Sequence, residues 1–184
     1  MEIKEQKKEL RKKIRAVKNE YSLDKKKELS EGIFSRVEST EEFINAECVL
    51  LYWSMDDEVF THGFIDKWYG KKVILLPCVA GDDLVLRKYE GRQSMVAGEQ
   101  FGIAEPTGSI YDDYASVDLM IIPGVAFDAA KNRMGRGRGF YDRLLKTCKC
   151  KKMGVCFDFQ LVPTVPSEEF DVKMDCVVTS SRIY

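Results

Sequence analysis

Apolar residues along this chain follow a helical period first and then fall into short runs. Over residues 2–19, Ile3, Leu10, Ile14 and Val17 recur at steps of seven, four and three, the narrow face of a highly charged helix. Ser22 is placed to cap a second helix over 23–38, where Leu29, Ile33 and Val37 are four residues apart. The pattern then changes. CVLLYWS (48–54), KKVILLPCV (71–79) and VDLMIIPG (117–124) read as buried strands, with KKMGVCF (151–157) and DCVVTS (175–180) as two late ones. LVLRKYE (84–90) alternates weakly after a Gly-Asp-Asp turn signal. THGFIDKWYG (61–70) and FYDRLLKTC (140–148) have helical patterning, and Gly70 stops the first. Residues 91–116, rich in Gly, Ser and Asp and containing Pro106, read as mostly loop. Short buried strands alternating with helices predict an α/β fold, a three-layer sandwich around a largely parallel open sheet. An N-terminal helical arm over 1–38 precedes it. Such sheets bind ligands beyond the carboxyl ends of their strands, which places chemistry after 54, 79 and 124.

Composition supports one domain over 1–184: 45% of the residues are hydrophobic, enough to fill a core. No apolar run reaches the ~20 residues of a membrane-crossing helix. The N-terminus lacks the apolar stretch of a secretory signal. A cytoplasmic setting with reduced thiols and no membrane partner is therefore expected. The net charge is −1, yet residues 1–27 hold eleven Lys and Arg against five Asp and Glu. A basic arm on an acidic body suits an anionic partner, and equally a solvated helix face. Lys7 and Arg11, four apart, share one face. Of the six cysteines, Cys48, Cys78, Cys156 and Cys176 lie in apolar runs and behave as small hydrophobes. Cys148 and Cys150 form no C-x-x-C pair, and with His62 the only histidine a thiolate metal site is not expected.

The segment richest in chemistry is GVAFDAAKNRMGRGRGFYDRLL (124–145), between the strongest strand and a helix. Gly135, Gly137 and Gly139 alternate with Arg136 and Arg138, just after Arg133. Glycine lets the backbone approach a ligand closely, helix N-terminal N–H groups favour anions, and arginine supplies paired donors for phosphate oxygens. The segment therefore reads as a phosphate cradle; a solvated basic loop is the bland alternative. It is neither a Walker A loop nor a dinucleotide fingerprint. Asp142, in the first turn of the helix, suits the helix dipole or, beside a polyphosphate, Mg²⁺. YWSMDDEVF (52–60) puts Trp53, Asp56, Asp57 and Glu58 at the end of the first strand. That pattern fits an acidic turn with Trp53 in the core; it also fits Trp53 stacked on a planar ring whose N–H groups meet a carboxylate.

With these pieces placed, the chain resembles the 5-formyltetrahydrofolate cyclo-ligase family, also called methenyltetrahydrofolate synthetases. The resemblance runs through KKELR (7–11), SMDDE (54–58), FGIAEP (101–106), PGVAFD…NRMGRGRGFYDRLL (123–145) and VPSEEFDVKMD (165–175). It implies a Rossmann-like fold of the NagB/RpiA/CoA-transferase-like kind. It also implies ATP-dependent conversion of 5-formyltetrahydrofolate to 5,10-methenyltetrahydrofolate, ADP and phosphate, with Mg²⁺ as cofactor. By that resemblance, Lys7, Arg11, Arg133, Met134, Gly135, Arg136, Gly137, Arg138, Gly139, Phe140 and Tyr141 contact ATP, and Arg136 is catalytic. Trp53, Glu58 and Phe101 contact the folate, together with Arg136 to Phe140. Asp142 and Asp171 hold the metal. Lys7 is preferred to Lys8 for its spacing to Arg11. Two departures from the family pattern are Phe140, where relatives often have Tyr, and Phe170, where many have a polar residue.

Two other readings have their own motives. The basic arm and Arg-Gly run suit a nucleic-acid binder, against which stand the acidic body and the absence of clustered aromatics on a basic face. A sugar-phosphate isomerase or acyl-carrier transferase would share the implied fold, but Glu58 is its one candidate base or nucleophile. The expected partners are small molecules, not nucleic acid, and the chain is expected to act as a monomer.

Overall fold

The computed structural model of the chain describes residues 2–98 and 102–184. Two long helices come first, α1 (Ile3–Asn19) and α2 (Leu23–Glu38). Ser22 caps α2 as its position predicts, its hydroxyl accepting from the Lys25 N–H at 3.2 Å. A short α3 (Glu41–Asn45), capped by Thr40, leads into β1 (Cys48–Leu50). Then come α4 (His62–Trp68), β2 (Val73–Ala80) and β3 (Asp83–Lys88). β4 (Met95–Ala97) and β5 (Ala104–Pro106) pair as a small separate ribbon, followed by β6 (Ile110–Tyr111) and β7 (Leu119–Ile122). A hairpin of β8 (Ala126–Phe127) and β9 (Arg133–Met134) precedes α5 (Phe140–Thr147), β10 (Lys151–Val155) and β11 (Cys176–Val178).

Seven strands form one sheet in the order β11-β10-β7-β1-β2-β3-β6. The pairs from β11 through β2 are parallel, and β3 and β6 extend that edge antiparallel. The chain leaves β1 toward β2 on one side and later fills β7, β10 and β11 on the other. The order therefore reverses between β1 and β7, the crevice where open α/β sheets hold ligands.

Strand alternation assigns each side chain to a layer. Val49, Leu51, Ile74, Leu76, Leu119 and Ile121 point to one face and pack with Ile33 and Val37 of α2, Phe43 of α3 and Ile65 of α4. Leu50, Leu75, Met120 and Ile122 point to the other, against Leu144 and Leu145 of α5 and Phe127. All six cysteines are free thiols; Cys48, Cys78, Cys148 and Cys156 are buried. Helix α1 belongs to neither layer. Its Ile14 is buried against Ala126, Met134 and Val165, so α1 lies across the β8–β9 hairpin near the sheet's carboxyl edge. Among the described residues no helix is long and apolar enough to cross a membrane.

Two expectations need correction. The strand expected over 48–54 ends at Leu50, because the chain beyond it is captured by side-chain hydrogen bonds instead of the ladder. The loop expected over 91–116 contains β4, β5 and β6, strands of two or three residues that are too short to show alternation. Ile3, on the narrow apolar face of α1, is 38% exposed, while Ile14 on the same face is buried.

Candidate active site

A cleft of about 650 Å³ opens at the carboxyl edge of the sheet. Residues after β1, after β7 and at the end of β2 all line it, as the topology requires. One wall is the Gly/Arg loop, the other the turn after β1, and α1 with the segment 168–171 borders the rest.

The loop wall begins with β9 folded back on β8, the Val125 N–H donating to the Met134 carbonyl at 2.7 Å. Arg133 is buried there. Its Nε donates to the Pro123 carbonyl at 2.9 Å, its Nη1 reaches Asp142 at 3.3 Å, and its guanidinium lies 5.2 Å from the Tyr141 ring centre. Burial lowers the Arg133 pKa against the pull of Asp142, yet a guanidinium stays charged. Gly137 and Gly139 have φ of +104° and +72°, backbone that a side chain would strain. This turn delivers Gly139 to the N-cap of α5, so that the unpaired N–H groups of the first helical turn border the cleft beside Asp142.

The opposite wall is built by hydrogen bonds that replace the end of β1. The Ser54 N–H donates to Thr61 Oγ1 at 3.1 Å, the Thr61 N–H to Ser54 Oγ at 3.0 Å, and the Thr61 hydroxyl to the Tyr52 carbonyl at 2.6 Å. The enclosed turn presents Glu58, whose Oε2 accepts from the Met55 N–H at 3.0 Å. Burial pushes the Glu58 carboxyl above its ordinary range; the Met55 N–H and Arg136 oppose this without cancelling it. Trp53 stacks on His62 with ring centres 3.9 Å apart and planes at 17°. The His62 Nε2 lies 3.1 Å from the Ser54 carbonyl, so that nitrogen carries the proton. Arg136 joins the two walls. Its Nη2 donates to Asp57 Oδ1 at 2.6 Å and to Glu58 Oε1 at 3.2 Å.

Helix α1 closes the third side. Arg11 Nε donates to the Gly135 carbonyl at 3.0 Å. Lys7 Nζ bonds Asp171 at 2.6 Å and Glu168 at 2.8 Å. Burial depresses the Lys7 ammonium, but these two carboxylates outweigh it and hold the pKa above the ordinary value. The cleft thus combines six cationic side chains, a helix N-terminus, an aromatic face and a buried carboxylate. That set can bind a polyanion beside a planar heterocycle.

A family profile described as the 5-formyltetrahydrofolate cyclo-ligase family matches residues 3–180. The chain belongs to the 5-formyltetrahydrofolate cyclo-ligase family. It is 31% identical over 181 residues to the 5-formyltetrahydrofolate cyclo-ligase of Escherichia coli (strain K12), covering 93% of this chain and 98% of the relative. The solved 5,10-methenyltetrahydrofolate synthetase of Aquifex aeolicus superposes with a TM-score of 0.87 at 34% identity, over 96% of this chain and 91% of the other. That of Mycoplasma pneumoniae, at 22% identity and a TM-score of 0.75 over 95% and 98%, shares the fold.

Measured against the residues expected of a cyclo-ligase, the cleft gathers Lys7, Arg11, Trp53, Glu58, the whole of 133–141, Asp142 and Asp171. Phe101 lies outside the described residues. Lys7 rather than Lys8 faces the cleft; Lys8 is exposed. Trp53 packs on the core and also lines the cleft. Several participants escaped the sequence reading. Lys4 lines the mouth one turn before Lys7, a signal present in the spacing. Glu105 lines the far end and accepts from the Val79 N–H at 3.0 Å, with nothing in its local sequence to single it out.

Proposed function

We propose that this chain, as one domain over 1–184, carries out the reaction of its family: ATP-dependent closure of 5-formyltetrahydrofolate to 5,10-methenyltetrahydrofolate. The observation that carries the reading is the meeting of the loop 133–139 and the Trp53–Glu58 turn across one cleft, joined by Arg136. The formyl oxygen is a poor leaving group. It attacks the γ-phosphorus of ATP, ADP departs, and the oxygen becomes part of a phosphorylated imidate. The folate 10-nitrogen then attacks the former formyl carbon and gives up its proton to solvent, the five-membered ring closes, and the carbon–oxygen bond breaks as phosphate leaves. Phosphoryl transfer needs chiefly alignment and charge neutralisation. In this reading Lys7, Arg11, Arg133 and the segment Met134 to Tyr141 hold the nucleotide, and Arg136 neutralises the transferred group. Trp53 stacks on the pterin, Glu58 accepts from its N–H groups, and Phe101 with Arg136 to Phe140 completes the folate side.

The donor set suits Mg²⁺. Asp142 and Asp171 both line the cleft, and a nucleotide-bound Mg²⁺ takes only one or two carboxylates, with phosphate oxygens and water supplying the rest. These two side chains would hold it, and it would neutralise charge on the polyphosphate. Arg133 and Lys7, their present partners, are the cations that would share those oxygens. The enzyme acts as a cytoplasmic monomer on small molecules. The test is direct. Purified protein with Mg-ATP and 5-formyltetrahydrofolate is expected to generate the methenyl chromophore, and to generate none without ATP. Absence of product beside a working control enzyme overturns the reading.

A further inference from the structure

Positions 7, 11, 14 and 18 of α1 are spaced four, three and four, so they form one stripe along the helix. Each ties the helix to a different part of the site. Lys7 reaches segment 168–171, Arg11 the Gly135 carbonyl, and Ile14 the β8–β9 hairpin. Lys18 ends the stripe and differs in kind. It is 4% exposed, stands behind the cleft rather than on its lining, and its Nζ lies 3.5 Å from Asp57 Oδ2. Asp57 is also absent from the lining, and its other oxygen accepts from Arg136 Nη2 at 2.6 Å. The three groups form a row of alternating charge, Lys18⁺, Asp57⁻, Arg136⁺, running from the buried side of α1 to the cleft.

Burying an ammonium is costly, and a buried ion pair is a poor device for stability alone. Burial lowers the Lys18 pKa, while the Lys18 charge and the Arg136 hydrogen bond overcome burial at Asp57 and lower its pKa. Position is what such an arrangement secures. Arg136 stands between Gly135 and Gly137 on an exposed loop, where a long side chain is otherwise free to turn. Its contacts to Asp57 and Glu58 both use Nη2. A guanidinium is a planar fork, so fixing one edge fixes the direction of the other.

We propose that Lys18 and Asp57 are positioning residues, a buried ammonium holding a half-exposed carboxylate that anchors one edge of the Arg136 guanidinium so that the other faces the transferred phosphoryl group. This rests on the role of Arg136 given above. Neither residue needs to touch substrate; both act through Arg136.

The experiment compares Asp57→Asn, Lys18→Met and Lys18→Arg with the unaltered protein. Asp57→Asn is expected to lower kcat for methenyl formation about tenfold, with KM for the folate changed less than about twofold. Lys18→Met is expected to behave likewise, and Lys18→Arg to recover most of the loss. In an Arg136→Ala background, Asp57→Asn is expected to have no further effect. An unchanged kcat in Asp57→Asn, or a full independent effect in that background, overturns the pairing. Failure of the unaltered protein to turn over counts instead against the folate reading. Side-chain NMR order at Arg136 Nε tests the anchor apart from turnover: it is expected to fall in Asp57→Asn, and unchanged order overturns the proposal.

Discussion

The two walls of the cleft achieve rigidity by opposite means. The wall after β7 is made of backbone and charge: left-handed glycines, a helix N-terminus and a buried Arg133 held by a carbonyl and Asp142. The wall after β1 is made of rings and hydroxyls: the Ser54–Thr61 exchange and Trp53 stacked on His62 around a buried carboxylate. The first suits a ligand whose charge is spread over many equivalent oxygens, since N–H groups and guanidinium forks tolerate several placements of a phosphate. The second suits a ligand with one planar face and a defined row of donors, which a stacked ring and a single carboxylate can read. Arg136 reaches from one wall to the other, so the two are joined through its guanidinium.

If the division is real, damage on one wall leaves the ligand of the other wall unaffected. The largest effect is expected at the bridge. Arg136→Ala is expected to lower kcat by about 10²–10³-fold, the usual loss when a preorganised donor to developing charge is removed. Its thermal unfolding is expected to stay close to that of the unaltered protein, because the side chain is half exposed, at 45%. Parallel turnover and unfolding measurements check this, and an equal loss of both breaks the assignment. A smaller and more selective effect is expected from Trp53→Leu. It is expected to raise KM for 5-formyltetrahydrofolate about tenfold while leaving KM for ATP nearly unchanged, since one aromatic stacking face is worth about 1 kcal/mol. A matching rise in both KM values would show that the walls are not separate.

The sheet was legible because its signal is local. Six of the seven strands of the main sheet were expected from runs such as 117–124, whose residues Leu119 to Ile122 are all buried, and from the turn signal before β3. Only β6, two residues long, was hidden in the presumed loop. The glycine/arginine loop was legible because its composition is costly for an ordinary connection, and the resemblance to a family supplied the remaining site residues. The ion network was not legible. Lys7 with Asp171, Lys18 with Asp57 and Arg136 with Glu58 are separated by 164, 39 and 78 residues, and no periodic pattern encodes such pairs. Lys18 in particular looks like one more charge on a charged helix. Only its spacing of seven from Arg11 hints that it shares the inward stripe, and only the fold shows the carboxylate waiting there.

The smallest expected effect tests the carboxylate wall through its electrostatics. Burial raises the Glu58 pKa above its ordinary value of 4.5. A carboxyl whose folded pKa is raised contributes stability that is full below the unfolded pKa and is lost as pH rises through the folded value. Ionising Glu58 is therefore a cost to the fold, and in the proposed reaction that cost serves folate recognition. Glu58→Gln keeps the shape and an oxygen for the Met55 N–H but cannot ionise. It is expected to be as stable as the unaltered protein or more so at pH 7, with the difference vanishing below pH about 4.5. The same variant is expected to lose about tenfold or more in kcat/KM for the folate, because an acceptor for its N–H groups has become neutral. Denaturant unfolding at several pH values, set beside turnover, measures both. A variant less stable at pH 7 than at pH 4, relative to the unaltered protein, would show that Glu58 is ionised to hold the turn together rather than to meet a ligand.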